Sequence, residues 1–365
     1  MTSKAFGLAQ LGNAYADGAL SNRNKIINGA MTIDQRNAGA AVTINSTANT
    51  YTLDRWAASG QLTDGVYTVD QITEAPAGFA NSARITVTTA DASIGATQIY
   101  LFQQFVEGFN FADFDFGKSS AKSVTLSFWA RSSVTGTFSG ALGNSANDRA
   151  YPFTYAISSA NTWEYKTITI AGDTTGTWLT DSGRGVAVRF AIGLGSNHVA
   201  TAGAWTGTSS IFGATGAVNL IGTLSATLDL TGVQLEAGDT ATPFEHRSYG
   251  AELALCQRYY EISGTFGGVV TGRGTAGGAG NAATRAFGFV GNDFKVTKRA
   301  IPTISIQSSQ SGTSGQISGY SSGTEYTVNS TGGTNVNRVH SYLQTTTSMS
   351  SFEPQEYYWQ AAAEL

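Results

Sequence analysis

Thr227-Leu228-Asp229-Leu230-Thr231-Gly232-Val233-Gln234-Leu235 and Ser123-Val124-Thr125-Leu126-Ser127-Phe128-Trp129 decide the fold. In the second stretch Val124, Leu126 and Phe128 share one face and Ser123, Thr125 and Ser127 the other. In the first, Leu228 and Leu230 point inward, and a bulge near Gly232 brings Val233 and Leu235 back to the same side. A period of two marks half-buried strands of antiparallel sheets. Working outward, residues 83–89 and 185–192 repeat the pattern, the latter with Val186, Val188, Phe190 and Ile192 inward. Asp64-Gly65 and Asp181-Ser182-Gly183 punctuate the strands as turns, and Asn28-Gly29 between apolar residues is a hairpin signal. Eight or more such strands predict an all-β, two-sheet jelly-roll sandwich over residues 26–247.

The texture changes near residue 243. Ser248 can cap a helix over 248–262 on which Leu253, Cys256, Gln257 and Tyr260 fall at helical spacing. Beyond it, residues 285–290, 294–297, 301–306, 325–328, 339–343 and 356–359 read as strands, with loops at 272–280 and 308–322. The chain therefore divides into an N-terminal connector arm (1–25), the jelly roll (26–247), a linking helix (248–262) and a second small β-sandwich domain (263–365).

Composition bounds the function. Of the 365 residues, 41% are hydrophobic and 13% charged, against roughly 25% charged in an average globular chain. Cores can form, so the chain is not disordered. The sparse charge points to a hydroxyl-rich surface, with Ser123, Thr125 and Ser127 outward, or to a surface hidden in an assembly. The 21 basic and 25 acidic residues give no overall basic field for nucleic acid. No apolar run is long enough for a membrane span, and the first 25 residues lack the apolar region of a secretory signal. The one cysteine excludes an intrachain disulfide. Cys256 itself reads as a small core residue.

Three groups of residues carry a resemblance. One is 24–31, with Asp34-Gln35-Arg36 and Asp54-Arg55-Trp56. Another is 127–131, with Trp163-Glu164-Tyr165 and 172–178. The third is 232–238, with 241–245 and 252–260. In this order they resemble bacteriophage tail-fibre-type proteins that carry a carbohydrate-binding-module-like jelly roll followed by a small β domain. The resemblance implies a virion component made in the host cytoplasm, a homotrimer that mediates host attachment through a bacterial surface glycan or protein. The arm would join it to other tail or baseplate proteins. A head-fibre, collar or baseplate decoration without a receptor site is the alternative. A polysaccharide depolymerase is disfavoured, because neither a repeat-rich β-helix nor a convergent set of acids is present, so no enzyme activity is expected.

Flat aromatic faces stack on sugar rings without needing charge. Trp178 and Trp205, beside Gly/Thr-rich loops, and Tyr320, Tyr326 and Tyr342 in the C-terminal domain are the candidate glycan contacts, although the usual burial of large aromatics favours core packing for the two tryptophans too. For Trp56, Trp129 and Trp163, in strand context, core packing is the stronger expectation. The run 109–116 alternates aromatics with acids. Its residues favour a loop or sheet edge with solvated carboxylates, since one acid pair supplies too few of the six to eight oxygens that calcium takes. The resemblance nonetheless implies a structural Ca²⁺ held by Asp113, Asp115 and Asp229. No other cofactor is expected. His198, His246 and His340 lack metal-ligand spacing. Lys295, Lys298 and Arg299 form a small basic cluster, most simply a solvated strand face.

Overall fold

The computed structural model describes residues 22–61, 64–263, 286–288, 292–319, 325–327, 335–339, 342–344 and 355–365. The chain falls into two compact units, residues 1–252 with Leu365, and residues 253–364. Most of the expected arm, the 272–280 loop, Tyr320 and His340 lie outside the described residues.

The first unit contains β1 (Val42–Ile44), β2 (Thr50–Tyr51), β3 (Trp56–Ser59), β4 (Val66–Ile72), β5 (Ser82–Thr89), β6 (Ile99–Glu107), β7 (Val124–Ser132), β8 (Gly136–Gly143), β9 (Ala150–Ile157), β10 (Glu164–Ile170), β11 (Arg184–Leu194), β12 (Val199–Ala200), β13 (Gly213–Ala214) and β14 (Thr227–Ala237). They build two six-stranded sheets, β1-β4-β5-β14-β7-β10 and β2-β3-β6-β11-β8-β9, with β12 and β13 as a separate pair. The chain crosses repeatedly from sheet to sheet, as from β5 to β6 and from β6 to β7. This is a jelly-roll sandwich.

Inner residues follow the expected alternation. Val124, Leu126, Phe128, Val188, Phe190, Leu228, Leu230, Val233 and Leu235 are all 0% exposed. Phe128 of one sheet meets Phe190 of the other edge to face at 5.0 Å, and Trp56 stacks on Phe102 at 4.9 Å. Burying each such side chain contributes about 1.5–3 kcal/mol. The register of β14 on β7 shifts between Thr231 and Gln234, and Gly232 takes φ +61° there, so the bulge sits where the sequence puts it.

Asn28-Gly29 does not form the expected hairpin. Asn28, at φ +58°, is buried, and its amide donates to the carbonyls of Ile33 and Asp54 while its side-chain oxygen accepts from the Ile33 N–H. The dipeptide is the hub of a loop rather than a turn between paired strands. A Cβ on Gly29 would stand 2.2 Å from the Val233 carbonyl oxygen, so glycine lets this loop lie against β14.

The hydroxyl face of β7 is not solvated. Thr125 and Ser127 are 0% and 2% exposed. The segment after β14 folds over them: the Thr125 hydroxyl donates to Gly238 O, Glu236 accepts from the Thr242 N–H, and the Glu245 N–H donates to Gln234. The chain at 22–25 joins the same layer, with the Asn22 and Asn24 N–H groups donating to Glu245. Alternation finds which face a residue takes; it does not reveal that a later segment covers the outer face.

The helix α2 (Tyr249–Gln257) is shorter than the 248–262 expected. Ser248 does cap it, its hydroxyl accepting from the Ala251 N–H. The helix stops because Tyr260–Ile262 is needed as a strand, paired with residues 360–362.

The second unit is all-β beyond this helix. Its β15 (Tyr260–Ile262), β18 (Thr303–Ser308), β19 (Gln316–Gly319), β20 (Glu325–Thr327) and β23 (Gln355–Ala362) form a five-stranded sheet. Two further pairs join β16 (Ala286–Gly288) to β22 (Tyr342–Gln344) and β17 (Asn292–Asp293) to β21 (Arg338–Val339). Cys256, Tyr259, Ile306, Tyr358 and Trp359 are buried, in keeping with the reading of Cys256 as a core residue.

Residues 294–297 are not the strand expected. The chain bends there so that the Lys295 N–H donates to Glu261 and the Lys298 ammonium enters the interior. Lys298 therefore is not on a solvated face. Its side chain is 0% exposed and ion-paired with Glu261 at 2%.

Candidate functional site

The site follows from the register of β7. Because Phe128 and Ala130 face the core, Trp129 and Arg131 face outward. Beyond the part of this sheet face that residues 238–245 cover, Trp129 and Arg131 are partly exposed. On the edge strand β10, Tyr165 lies directly across from Trp129 and is 45% exposed. The two rings stand 5.3 Å apart, tilted by 50°. Such a cross-strand aromatic pair holds flat faces in a fixed geometry.

The bulge extends this surface. Gly232 has no side chain, and Phe79 and Trp129 close over it: a Cβ there would meet Phe79 at 2.7 Å and Trp129 at 3.1 Å. Phe79 in turn packs on Phe244 (5.1 Å) and His246 (5.3 Å). The result is a strip of half-buried and exposed rings running Tyr165, Trp129, Phe79, Phe244 and His246 over the outer face of one sheet.

Beside the strip runs a row of charge. Arg84, Asp229 and Arg131 stand directly opposite one another on β5, β14 and β7. Arg84 Nε donates to Asp229 Oδ1 at 2.8 Å and Arg131 Nε to Oδ2 at 2.7 Å. Glu74 accepts from both arginines, at 3.3 and 2.6 Å. The Arg131 guanidinium also lies 5.0 Å from the Trp163 ring centre, a cation–π contact. Nearby, Lys166 and the Ser159 and Ser158 N–H groups hold the Glu164 carboxyl down to about 2. It is therefore ionised at neutral pH. Flat aromatics edged by planar hydrogen-bonding groups can grip one apolar face and the hydroxyl rim of a sugar.

The sequence pointed elsewhere first. Trp178 and Trp205 do come together, with rings 5.5 Å apart at 83°. Trp178 is 7% exposed and edge-on to Phe116, and its indole N–H donates to Thr175 O. It is a core residue closing one end of the sandwich. Trp205 is half-buried, its N–H donating to Ala171 O and its ring against Tyr151. Tyr326 lies in β20 and Tyr342 in β22. Conversely, Trp129 and Trp163, expected in the core, are partly exposed, Trp129 on the strip and Trp163 beside it against Arg131. The signal was present: the alternation that buries Phe128 turns its neighbour Trp129 outward.

The acids do not form a calcium site. Residues 108–114 make a short helix α1 (Gly108–Phe111) and a 3₁₀ turn (Ala112–Phe114), not a sheet edge. Phe111, Phe114 and Phe116 are buried, while Asp113 pairs with Lys25 at 2.8 Å and Asp115 with Lys118 at 2.7 Å. Asp229 is occupied by its two arginines. Each carboxylate already meets a cation, and among the described residues no three His, Cys, Asp or Glu side chains are grouped to hold a metal. This donor set does not fit Ca²⁺. His198 and His246 are likewise apart, each packed on aromatic rings. A cavity of about 180 Å³ near Ser139 and Asn219 falls short of the roughly 300 Å³ of small-molecule pockets.

No family model matches the chain, and no curated protein does. Among solved structures, the enzymatically active domain of tailspike protein 4 of bacteriophage CBA120 is similar at 13% identity and a TM-score of 0.31. It covers 59% of this chain, which spans 21% of that one. The family 11 carbohydrate-binding module of the cellulase Lic26A-Cel5E of Clostridium thermocellum is similar at 11% identity, covering 56% of this chain and 99% of the module, with a TM-score of 0.27. TmCBM61 in complex with β-1,4-galactotriose matches at 10% identity, over 59% of this chain and 99% of that one, with a TM-score of 0.29. The class of the first unit rests on its own topology, an all-β jelly-roll sandwich with an aromatic strip on one outer face. Among the described residues no helix is long and apolar enough to cross a membrane.

Proposed function

We propose that this chain is a non-enzymatic glycan-binding protein of a phage virion, an appendage component that attaches to its bacterial host. The observation that carries the glycan reading is the Trp129–Tyr165 pair, two rings 5.3 Å apart and tilted by 50° across neighbouring strands, with Tyr165 exposed and Trp129 half-buried, edged by Arg131 on Trp163. A pyranose ring has an apolar face of C–H groups that matches such a platform, and its hydroxyls match the neighbouring guanidinium and carboxylates. Binding without catalysis suits the site's acids: Asp229 and Glu74 are neutralised by Arg84 and Arg131 rather than poised as an acid–base pair. The virion assignment is supported by the sequence motifs at 24–36, 127–131 and 232–245. A homotrimer joined to the particle through the N-terminal arm fits weak sugar sites, since linked copies raise avidity about 10²–10⁴-fold.

Calorimetric titration with host envelope polysaccharide tests the glycan reading. Wild-type chain should bind, and Tyr165→Ala should bind about tenfold more weakly, the loss of one stacking face, with an unchanged melting temperature because Tyr165 is exposed. Absence of binding to every host polysaccharide, or equal affinity in the variant, would contradict it. A monomeric mass in native solution would contradict the trimer.

A further inference from the structure

The opposite sheet carries a second site of different chemistry. On the outer face of β11, Arg189 is 2% exposed. Its Nη2 donates to Asn147 Oδ1 at 2.6 Å, and its Nε to Gln103 Oε1 at 3.2 Å. Arg184, half-buried at the start of the same strand, donates to the same Asn147 oxygen at 3.1 Å and to the carbonyls of Asn144 and Ser145. Two guanidiniums thus converge on one neutral amide. Each also lies over a ring, Arg189 on Phe212 at 4.8 Å and Arg184 on Phe105 at 5.1 Å.

A carboxylate is missing from this cluster. Elsewhere the fold supplies one: Arg149 has Asp173, and Arg84 and Arg131 share Asp229. Among the described residues Arg184 and Arg189 meet neutral oxygens and rings, and the buried Arg184 Nε has no hydrogen-bond partner. Burial, and then the Arg184 charge, push Arg189 down to about 9. Buried charge of one sign is costly unless an opposite charge joins it. Asn147, Ser145 and Arg184 are partly exposed at its rim, and Arg189 lies buried beneath them.

We infer that Arg184 and Arg189 form a binding site for a carboxylate, the acid group of a uronic acid sugar. The guanidinium fork matches a planar carboxylate through paired N–H···O bonds, and the Asn147 amide already occupies the place of one such oxygen. The Asn144 and Ser145 carbonyls and the Asn147 side-chain oxygen beside Arg184 are acceptors for the hydroxyls of a sugar acid. This site stands apart from the Trp129–Tyr165 strip and does not depend on it.

The full-length chain titrated with D-glucuronate, D-glucose and acetate provides the test. Glucuronate should bind about tenfold more tightly than glucose, the gain of its carboxylate, and at equal concentration raise the melting temperature further, as the tighter ligand of the native state does. Acetate binding as tightly as glucuronate would support the carboxylate site but assign it to small free acids. Arg184→Gln, at the partly exposed rim, should fold and bind glucuronate about tenfold more weakly, the usual effect of one lost charge-assisted hydrogen bond. Glucuronate binding no better than glucose, or equal affinity in Arg184→Gln, would overturn the inference while leaving the glycan strip standing.

Discussion

Glu261→Ala should destabilise the second unit by about 3–5 kcal/mol, the range for removing one partner of a buried ion pair. Lys298 has its side chain fully enclosed, donating to Glu261 and to the carbonyls of Gln257 and Val296, with the Phe294 ring 4.5 Å away. Without Glu261 the ammonium keeps two carbonyl contacts and loses its countercharge. Burial already holds this lysine below its ordinary range, with Glu261 opposing the shift. Replacing both residues, as Glu261→Leu with Lys298→Met, should recover most of the loss, because the apolar pair has no charge to strand. Hydrogen exchange of the β15 and β23 amides reads this unit alone. Protection unchanged in Glu261→Ala would show that the pair is not buried as described.

Asp229→Ala should cost the first unit about 2–4 kcal/mol. The carboxylate is 1% exposed and anchors two guanidiniums, which are 26% and 16% exposed. Their partial hydration places the cost below that of a fully enclosed pair. Asp229→Asn should cost less, since it keeps one acceptor oxygen. Chemical denaturation with the midpoint followed in both variants checks the order. Because Arg131 is also the cation over Trp163, Asp229→Ala should weaken polysaccharide binding beyond its effect on stability, measured where both proteins are fully folded. Equal stability of the alanine variant and wild type would mean that Glu74 alone holds the arginines.

The row Arg84, Asp229, Arg131 shows what the sequence could and could not convey. Each residue sat on the outward side of a recognisable strand, but strand neighbours 98 and 145 positions apart are not visible in local alternation. What was legible was local: the inward set on β7 and β14, the bulge at Gly232, and the cap at Ser248. The general rule that large aromatics are buried points Trp129 and Trp163 to the core, against the alternation, which faces Trp129 outward. Serine and threonine on β7 looked like a wet surface because nothing in their own stretch foretold that residues 238–245 would cover them. Lys298 looked solvated because its partner, Glu261, lay in a segment read as helix. Part of the already sparse charge is thus withdrawn from the surface, placed in buried pairs such as Lys298–Glu261.

The central claim is that the outer face carrying Trp129 and Tyr165 binds glycan. The indole N–H resonances of the six tryptophans test it most directly, when the intact protein is titrated with host polysaccharide. Trp129 and Trp163 should shift in proportion to bound ligand, while Trp56 and Trp178, buried in the core, should stay in place. Shifts confined to Trp205 and Trp178 at the end of the sandwich, or the absence of shift at Trp129 under saturating ligand, would contradict it.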